Sequence, residues 1–207
     1  MTAVAVIAKA PVPGRVKTRL CPPCTHEQAA QLAAASLADV LAAAAATSAA
    51  RKVVVLDGEP DGVVPAGFEV VPQRGGGLDE RLAHAFEDLG EQALIVGMDT
   101  PQVTAEQIEA GIRALEDGAQ AVLGGADDGG YWCIGLHRPE PRVLVGVPMS
   151  SERTGAAQRQ RLRELGLPVQ ELDELLDVDD IDSARRVAAA APGTRFARCL
   201  RSLGLHA

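Results

Sequence analysis

Three acidic positions and one basic loop hold the residues of this chain best suited to chemistry. Asp99 lies in Gly97-Met-Asp-Thr-Pro101, directly after the apolar run Ala93–Val96. Asp177 and Asp179 lie in Leu176-Asp-Val-Asp-Asp180, two apart on what reads as extended backbone, so both carboxylates point the same way. Acids sharing a face repel one another unless a cation sits between them, and oxygen ligands of this kind suit Mg2+ or Mn2+. The loop Pro11-Val-Pro-Gly-Arg-Val-Lys-Thr-Arg-Leu20 has the opposite sign: it carries Arg15, Lys17 and Arg19, with Lys9 just ahead. On a chain of formal net charge -8, such a cluster calls for a polyanion, most simply the phosphates of a nucleotide. Gly14 lets the main chain turn tightly there, and its neighbours' N–H groups can share the oxygens with the basic side chains. The plainer alternatives are a solvated charged turn for the loop, a turn-forming Asp99 and a helix-capping acid after Asp177.

Two glycine-rich segments add further candidates. Gln73-Arg-Gly-Gly-Gly-Leu-Asp-Glu-Arg81 joins an apolar run to a helix-like one. Gly75 and Gly76 let a base or phosphate approach the main chain, the helix start favours an anion, and Arg81 is a further cation; a surface turn fits the same glycines. Gly124-Gly-Ala-Asp-Asp-Gly-Gly-Tyr131 precedes another apolar run. It can present Asp128 and Tyr131 to a substrate across Gly129 and Gly130, or form a hairpin turn, for which Asp-Gly is the common sequence.

Several chemistries are absent. Gly14-Arg-Val-Lys-Thr18 lacks the first glycine of a Walker loop, and Pro22 and Pro23 follow where that loop's helix would run. There is no Gly-x-Ser-x-Gly elbow for acyl transfer and no Gly-x-Gly-x-x-Gly after the first apolar run. Cys21-Pro-Pro-Cys24 has no second ligand pair for zinc and follows a ten-residue loop rather than a strand, so packed thiols are expected. The four histidines, His26, His84, His137 and His206, form no ligand spacing.

These residues need a scaffold, and the pattern supplies alternating strands and helices. Strands are expected at Ala3–Ala8, Lys52–Leu56, Phe68–Pro72, Ala93–Met98, Gln120–Leu123, Tyr131–Leu136 and Val143–Val147, most of them continuous apolar runs of the doubly covered kind. Thr25 with Gln28 predicts a capping box and a helix to about Ala46; Thr104 with Gln107 predicts another before Ile108–Leu115. Helices are also expected over Leu78–Leu89, Arg159–Leu165 and from Ile181 towards Pro192, with Asp180 or Asp182 as cap. Such alternation predicts an α/β domain spanning residues 1–207, a mostly parallel sheet with helices on both faces and ligands at the strands' carboxyl ends.

The 207 residues suffice for one sizeable core, and at 47% hydrophobic but 2% aromatic it must be built from Ala, Val and Leu. The acidic balance argues against nucleic acid as partner. No signal peptide or membrane-spanning run is read, and the cytoplasm is the expected compartment.

Taken together, Lys9 with Pro13-Gly-Arg-Val-Lys-Thr-Arg-Leu20, Gly97-Met-Asp-Thr-Pro101, Asp128-Gly-Gly-Tyr131 and Leu176-Asp-Val-Asp179 resemble the bacterial DUF2064 family of the glycosyltransferase-A (GT-A) superfamily. The first and last blocks also resemble the phospholactate or phosphoenolpyruvate guanylyltransferases of deazaflavin-cofactor biosynthesis. The resemblance implies a Rossmann-like GT-A fold that binds a nucleotide. It implies Lys17 and Arg19 on phosphates, Asp99, Asp177 and Asp179 on Mg2+ or Mn2+, and Asp128 and Tyr131 at the acceptor. Met149-Ser150-Ser151 stands where family members often carry Trp-Ser-Thr, and Cys24 where leucine is usual.

The activity expected is metal-dependent transfer from a nucleotide-activated donor to a small-molecule acceptor, first of all glycosyl transfer from a nucleotide-sugar, with Asp128 as base. Nucleotidyl transfer to a phosphorylated small molecule is the alternative. An inactive nucleotide-binding module is the third.

Overall fold

The computed structural model describes residues 1–60 and 62–205; His206 falls outside them. Seven strands form one sheet in the order β3-β2-β1-β4-β6-β5-β7. They are β1 (Ala3–Lys9), β2 (Lys52–Asp57), β3 (Glu69–Pro72), β4 (Ala93–Gly97), β5 (Ala121–Ala126), β6 (Tyr131–Leu136) and β7 (Val169–Leu175). All neighbours pair in parallel except β6, which runs antiparallel to both β4 and β5. This is the mostly parallel α/β sheet expected.

Side-chain alternation divides the core. Val4, Val6 and Ala8 face one side, beneath helices α1 (His26–Ala45) and α3 (Ala105–Glu116). Ala3 and Ala5 face the other, with Leu82 and Phe86 of α2 (Leu78–Leu89) and Leu162 of α4 (Thr154–Glu164). α5 (Ile181–Ala190) and α6 (Arg195–Ser202) pack outside α1, where Leu32, Val187, Phe196 and Leu200 are fully buried. α1 is the one described helix long and apolar enough to cross a bilayer by length and composition; in this fold it is sandwiched between sheet and α6, contacting β1 on one side and α6 on the other.

Both predicted capping boxes form, Thr25 with Gln28 and Thr104 with Gln107. Asp180, not Asp182, caps α5, in a third box with Ser183. Two expectations fail. Val143–Val147 is not a strand: Pro141–Val143 is a 3-10 turn, and its apolar side chains are buried beneath α2 and α4 rather than in a ladder. The seventh strand is Val169–Leu175, whose polar sequence suits an edge with most residues exposed or half-buried.

The connectivity reverses between β1 and β4. β2 and β3 continue to one side of β1, whereas β4 begins the other. A crevice opens at the strands' carboxyl ends where the order reverses. The segments leaving β1 and β4 there are Lys9–Arg19 and Gly97–Pro101.

Candidate functional site

A cleft of about 590 Å³ lies over this reversal point. Lys9, Arg15, Lys17 and Arg19 line it from the loop after β1, and Asp99 from the turn after β4. Asp177 and Asp179 enter from the loop between β7 and α5. That loop is tied over the β4 turn because Val178 N–H donates to the Asp99 carbonyl at 3.0 Å. It is held from behind because Asp177 N–H donates to Asp127 Oδ1 at 2.9 Å. The three acids and the four cations thus share one cleft.

Within it the charges are paired. Lys17 Nζ lies 2.8 Å from Asp99 Oδ1 and also donates to the Val178 carbonyl, leaving its side chain 9% exposed. The Lys17 backbone is left-handed, with φ 49°, a conformation that a non-glycine residue holds only when its surroundings enforce it. Arg19 Nη1 donates to both oxygens of Asp179, at 2.7 and 2.9 Å. That hydrogen bond and the Asp179 charge raise the Arg19 pKa further. Asp177 has no such partner. Desolvation, then the charge of Asp99, and more weakly those of Asp128 and Asp179, push its carboxyl up to about 7 against the pull of Lys17.

Among the described residues no three His, Cys, Asp or Glu side chains form a ready-made metal cage. The donor set is nonetheless of the right kind for a hard divalent cation: carboxylate oxygens only, with a repulsion on Asp177 that an added cation relieves. The residues fit Mg2+ or Mn2+ in ligand type and charge.

On the β2–β3 side, Arg81 Nη1 donates to Asp57 Oδ2 at 2.8 Å and to Gln73 Oε1 at 3.1 Å. Gln73 Nε2 in turn donates to the carbonyls of Ala8 and Val55, so one amide locks the ends of β1 and β2 and aims Arg81 at the cleft. Gly76 lines the cleft, but its N–H donates to Glu80 Oε2 at 2.8 Å. Asp79 accepts from Gly146 N–H at 2.9 Å. The start of α2 therefore already holds two carboxylates of its own. Gly75, at φ 107°, faces α2: a Cβ there would sit 2.8 Å from that of Glu80. Gly14 turns the basic loop against the His26 ring rather than lining the cleft.

A second pocket of about 340 Å³ adjoins the first and shares Arg19, Asp99, Tyr131, Ser150, Asp177 and Asp179 with it. Asp128 and Gly130 line it from the β5–β6 turn, which is a hairpin: Asp128 Oδ1 accepts from Gly130 N–H at 2.8 Å. The turn-forming and substrate-facing readings of this segment are thus compatible. Gly129 lies behind it at φ 86°, and a Cβ would meet the Glu152 carbonyl oxygen at 2.1 Å; its own carbonyl accepts from Gly155 N–H at 2.8 Å. Tyr131 lines both pockets; burial raises its phenol pKa, with a smaller contribution from Asp79, and its hydroxyl is directed at Gln158 Oε1 and Met149 Sδ.

Sequence reasoning missed Gln73, Asp57 and Asp127 as supports. It also missed Thr100, which lines the cleft while buried and whose Oγ1 lacks a protein partner, and the hydroxyl group of residues Ser150, Ser151 and Thr154. α4 starts at Thr154 with Arg153 as its N-cap and no side-chain cap, so no local signal marked the last three. Cys21 and Cys24 are free thiols in the apolar cluster under α1, α5 and α6.

The fold is of the Rossmann-like kind found among nucleotide-sugar transferases. A candidate nucleotide-diphospho-sugar transferase from Desulfovibrio desulfuricans G20 superposes with a TM-score of 0.87 at 24% identity, covering 100% of this chain and 97% of its own. CMP:2-keto-3-deoxy-manno-octonic acid synthetase, complexed with CTP, gives 0.60 at 12%, covering 93% and 99%. The Rv0371C protein of Mycobacterium tuberculosis H37Rv, complexed with manganese, gives 0.55 at 18%, covering 92% and 100%. No curated protein matches the chain. The chain belongs to the DUF2064 family, described as uncharacterized protein conserved in bacteria, whose model matches residues 26–151.

Proposed function

We propose that this protein is a metal-dependent transferase acting on a nucleotide-activated donor, and that it transfers a glycosyl group from a nucleotide-sugar. The observation that supports this most is the meeting of Lys17 and Arg19 with Asp99, Asp177 and Asp179 in one cleft at the sheet's reversal point. These residues come from segments up to 160 positions apart in sequence.

In the working complex Lys17 and Arg19 turn from Asp99 and Asp179 to the donor phosphates, joined by Lys9 and Arg15. The freed carboxylates of Asp99 and Asp179, with Asp177, hold Mg2+ or Mn2+. When bound, that ion supplies charge neutralisation for the departing diphosphate. The guanidinium and ammonium groups spread the same charge from the other side, in a cleft where such contacts count for more than in open water. Asp128 holds the acceptor: Oδ1 is fixed by Gly130 N–H, and Oδ2 remains to take the acceptor's hydroxyl proton.

Nucleotidyl transfer is the second reading. The number of cations on the donor half favours it, since a triphosphate needs more of them than a diphosphate. Incubation with nucleotide-sugars or nucleoside triphosphates across an acceptor panel separates the two. Release of nucleoside diphosphate supports glycosyl transfer, and release of pyrophosphate supports nucleotidyl transfer. Absence of nucleotide binding with or without Mn2+ overturns both. The inactive-module reading gives binding without turnover.

A further inference from the structure

The two pockets differ in charge. Lys9, Arg15, Lys17 and Arg81 line only the larger cleft; the smaller pocket has one cationic side chain, Arg19, already bound to Asp179. Against it stand Asp99, Asp128, Glu152, Asp177 and Asp179. Even with a cation on Asp99 and Asp177, two acids remain. Among the described ion pairs neither Asp128 nor Glu152 has a cationic partner, although Arg19 feels the Asp128 charge.

The rest of the wall is uncharged, partly hydroxyl-bearing and partly apolar through Leu78, Ala126 and Met149. Ser150, Ser151, Thr154 and Tyr131 line the pocket, with Thr154 Oγ1 already engaged by Ser151. Ser150 is exposed and left-handed, with φ 54°. α4 begins here, and two of its first N–H groups are already taken: Thr154 donates to the Ser151 carbonyl and Gly155 to the Gly129 carbonyl. A phosphate or carboxylate brought into this pocket meets more acids than cations, a balance that neutral hydroxyl donors do not reverse. A neutral polyol meets hydroxyls and carboxylates that can accept its protons, and an amine gains an ion pair.

We infer that the smaller pocket takes an uncharged or cationic, hydroxyl-bearing group of monosaccharide size, and turns away groups carrying phosphate or carboxylate. This rests on the nucleotide-donor reading of the neighbouring cleft. It favours a sugar, amino sugar or amino alcohol as acceptor over a phosphorylated small molecule.

The test is ligand-observed NMR titration of the full chain, in Mg2+, with glucose, glucosamine and glucose 6-phosphate. The expected result is that glucosamine and glucose bind at least about tenfold tighter than glucose 6-phosphate. The double variant Asp128→Asn/Glu152→Gln, which keeps the Oδ1 acceptor for Gly130, should narrow that gap at least about fivefold. Equal or tighter binding of glucose 6-phosphate, no discrimination among the three, or a gap that the variant leaves unchanged overturns the inference. A parallel titration with UDP, GDP and CDP isolates the donor reading. Its failure leaves nucleotides unbound whatever the sugars do, whereas failure of the present inference alters only the sugar series.

Discussion

Lys17 Nζ rests 2.8 Å from Asp99 Oδ1, an internal ion pair within the cleft that joins a loop leaving β1 to a turn leaving β4. The ammonium occupies a carboxylate proposed to hold metal, and the carboxylate occupies an ammonium proposed to hold phosphate. The second pair, Arg19 with Asp179, repeats the arrangement. Under the proposed function, ligand entry is an exchange of partners.

Replacing Lys17 separates the two halves of that exchange. Lys17→Met keeps the apolar stem and removes the charge. Mn2+ alone should then bind more tightly than to the parent protein, by roughly threefold to tenfold, because Asp99 no longer has a competing cation. Nucleoside diphosphate should bind about tenfold more weakly, through the loss of one phosphate contact. Calorimetric titration of each ligand separately reads both changes; equal movement in the same direction contradicts the exchange.

Asp177 should make the metal-free protein less stable as pH rises. Its folded pKa, near 7, lies above the ordinary value of 3.8, so between those values the folded state binds more protons than the unfolded one. The associated stability is full below pH 4 and is lost as pH rises through 7. Thermal unfolding in EDTA should show Tm falling over that window, and Asp177→Asn should flatten the fall and raise Tm at pH 8. A variant with the parent's pH profile would show that Asp177 is not the source.

Gly129 and Gly166 form a pair that separates backbone strain from collision. Both have positive φ, 86° and 69°, but a Cβ at Gly129 would meet the Glu152 carbonyl oxygen at 2.1 Å, and one at Gly166 would meet nothing within 4 Å. Gly166→Ala should cost about 1 kcal/mol, the left-handed penalty alone. Gly129→Ala should cost roughly 3 kcal/mol or more, because the hairpin must move off the start of α4. Denaturant unfolding of both variants checks this; equal costs would contradict it.

Much of the scaffold is legible from local chemistry. Thr25 with Gln28 and Thr104 with Gln107 mark two helix starts that form as read, and Leu78–Leu89 is a helix over that range. The errors share a cause: burial is not a local property. Val143, Leu144 and Val147 are apolar enough for a strand but are buried as a turn beneath two helices, whereas Val169–Leu175 is a strand despite its acids because only its edge position decides. α6 is short and arginine-rich, and its amphipathic face, Phe196, Ala197 and Leu200, is evident only once α1 is there to receive it. In the site, residue types were readable and partners were not. Arg19 and Asp179 stand 160 positions apart, and nothing in either segment announces that they meet. The support from Gln73, whose one amide holds two strand ends and Arg81, has no sequence signature.

The capping residue Thr104, which does not line the cleft, offers a stability check. It accepts from Gln107 N–H while Gln107 returns the bond to Thr104 N–H. Thr104→Ala should lower stability by about 1 kcal/mol and leave nucleotide and metal affinity unaltered by calorimetry. A change in either affinity would mean that α3 is coupled to the site.

Titrating the protein with nucleoside diphosphate in the presence and absence of Mn2+, and with Mn2+ in the presence and absence of nucleotide, tests the partner exchange most directly. The two ligands release each other's binding groups, so each should tighten the other by the same factor, at least about tenfold. The wild-type factor should exceed that of Lys17→Met, in which one internal pair is already gone. Equal nucleotide affinity with and without metal, or a coupling that Lys17→Met leaves unchanged, would contradict the account.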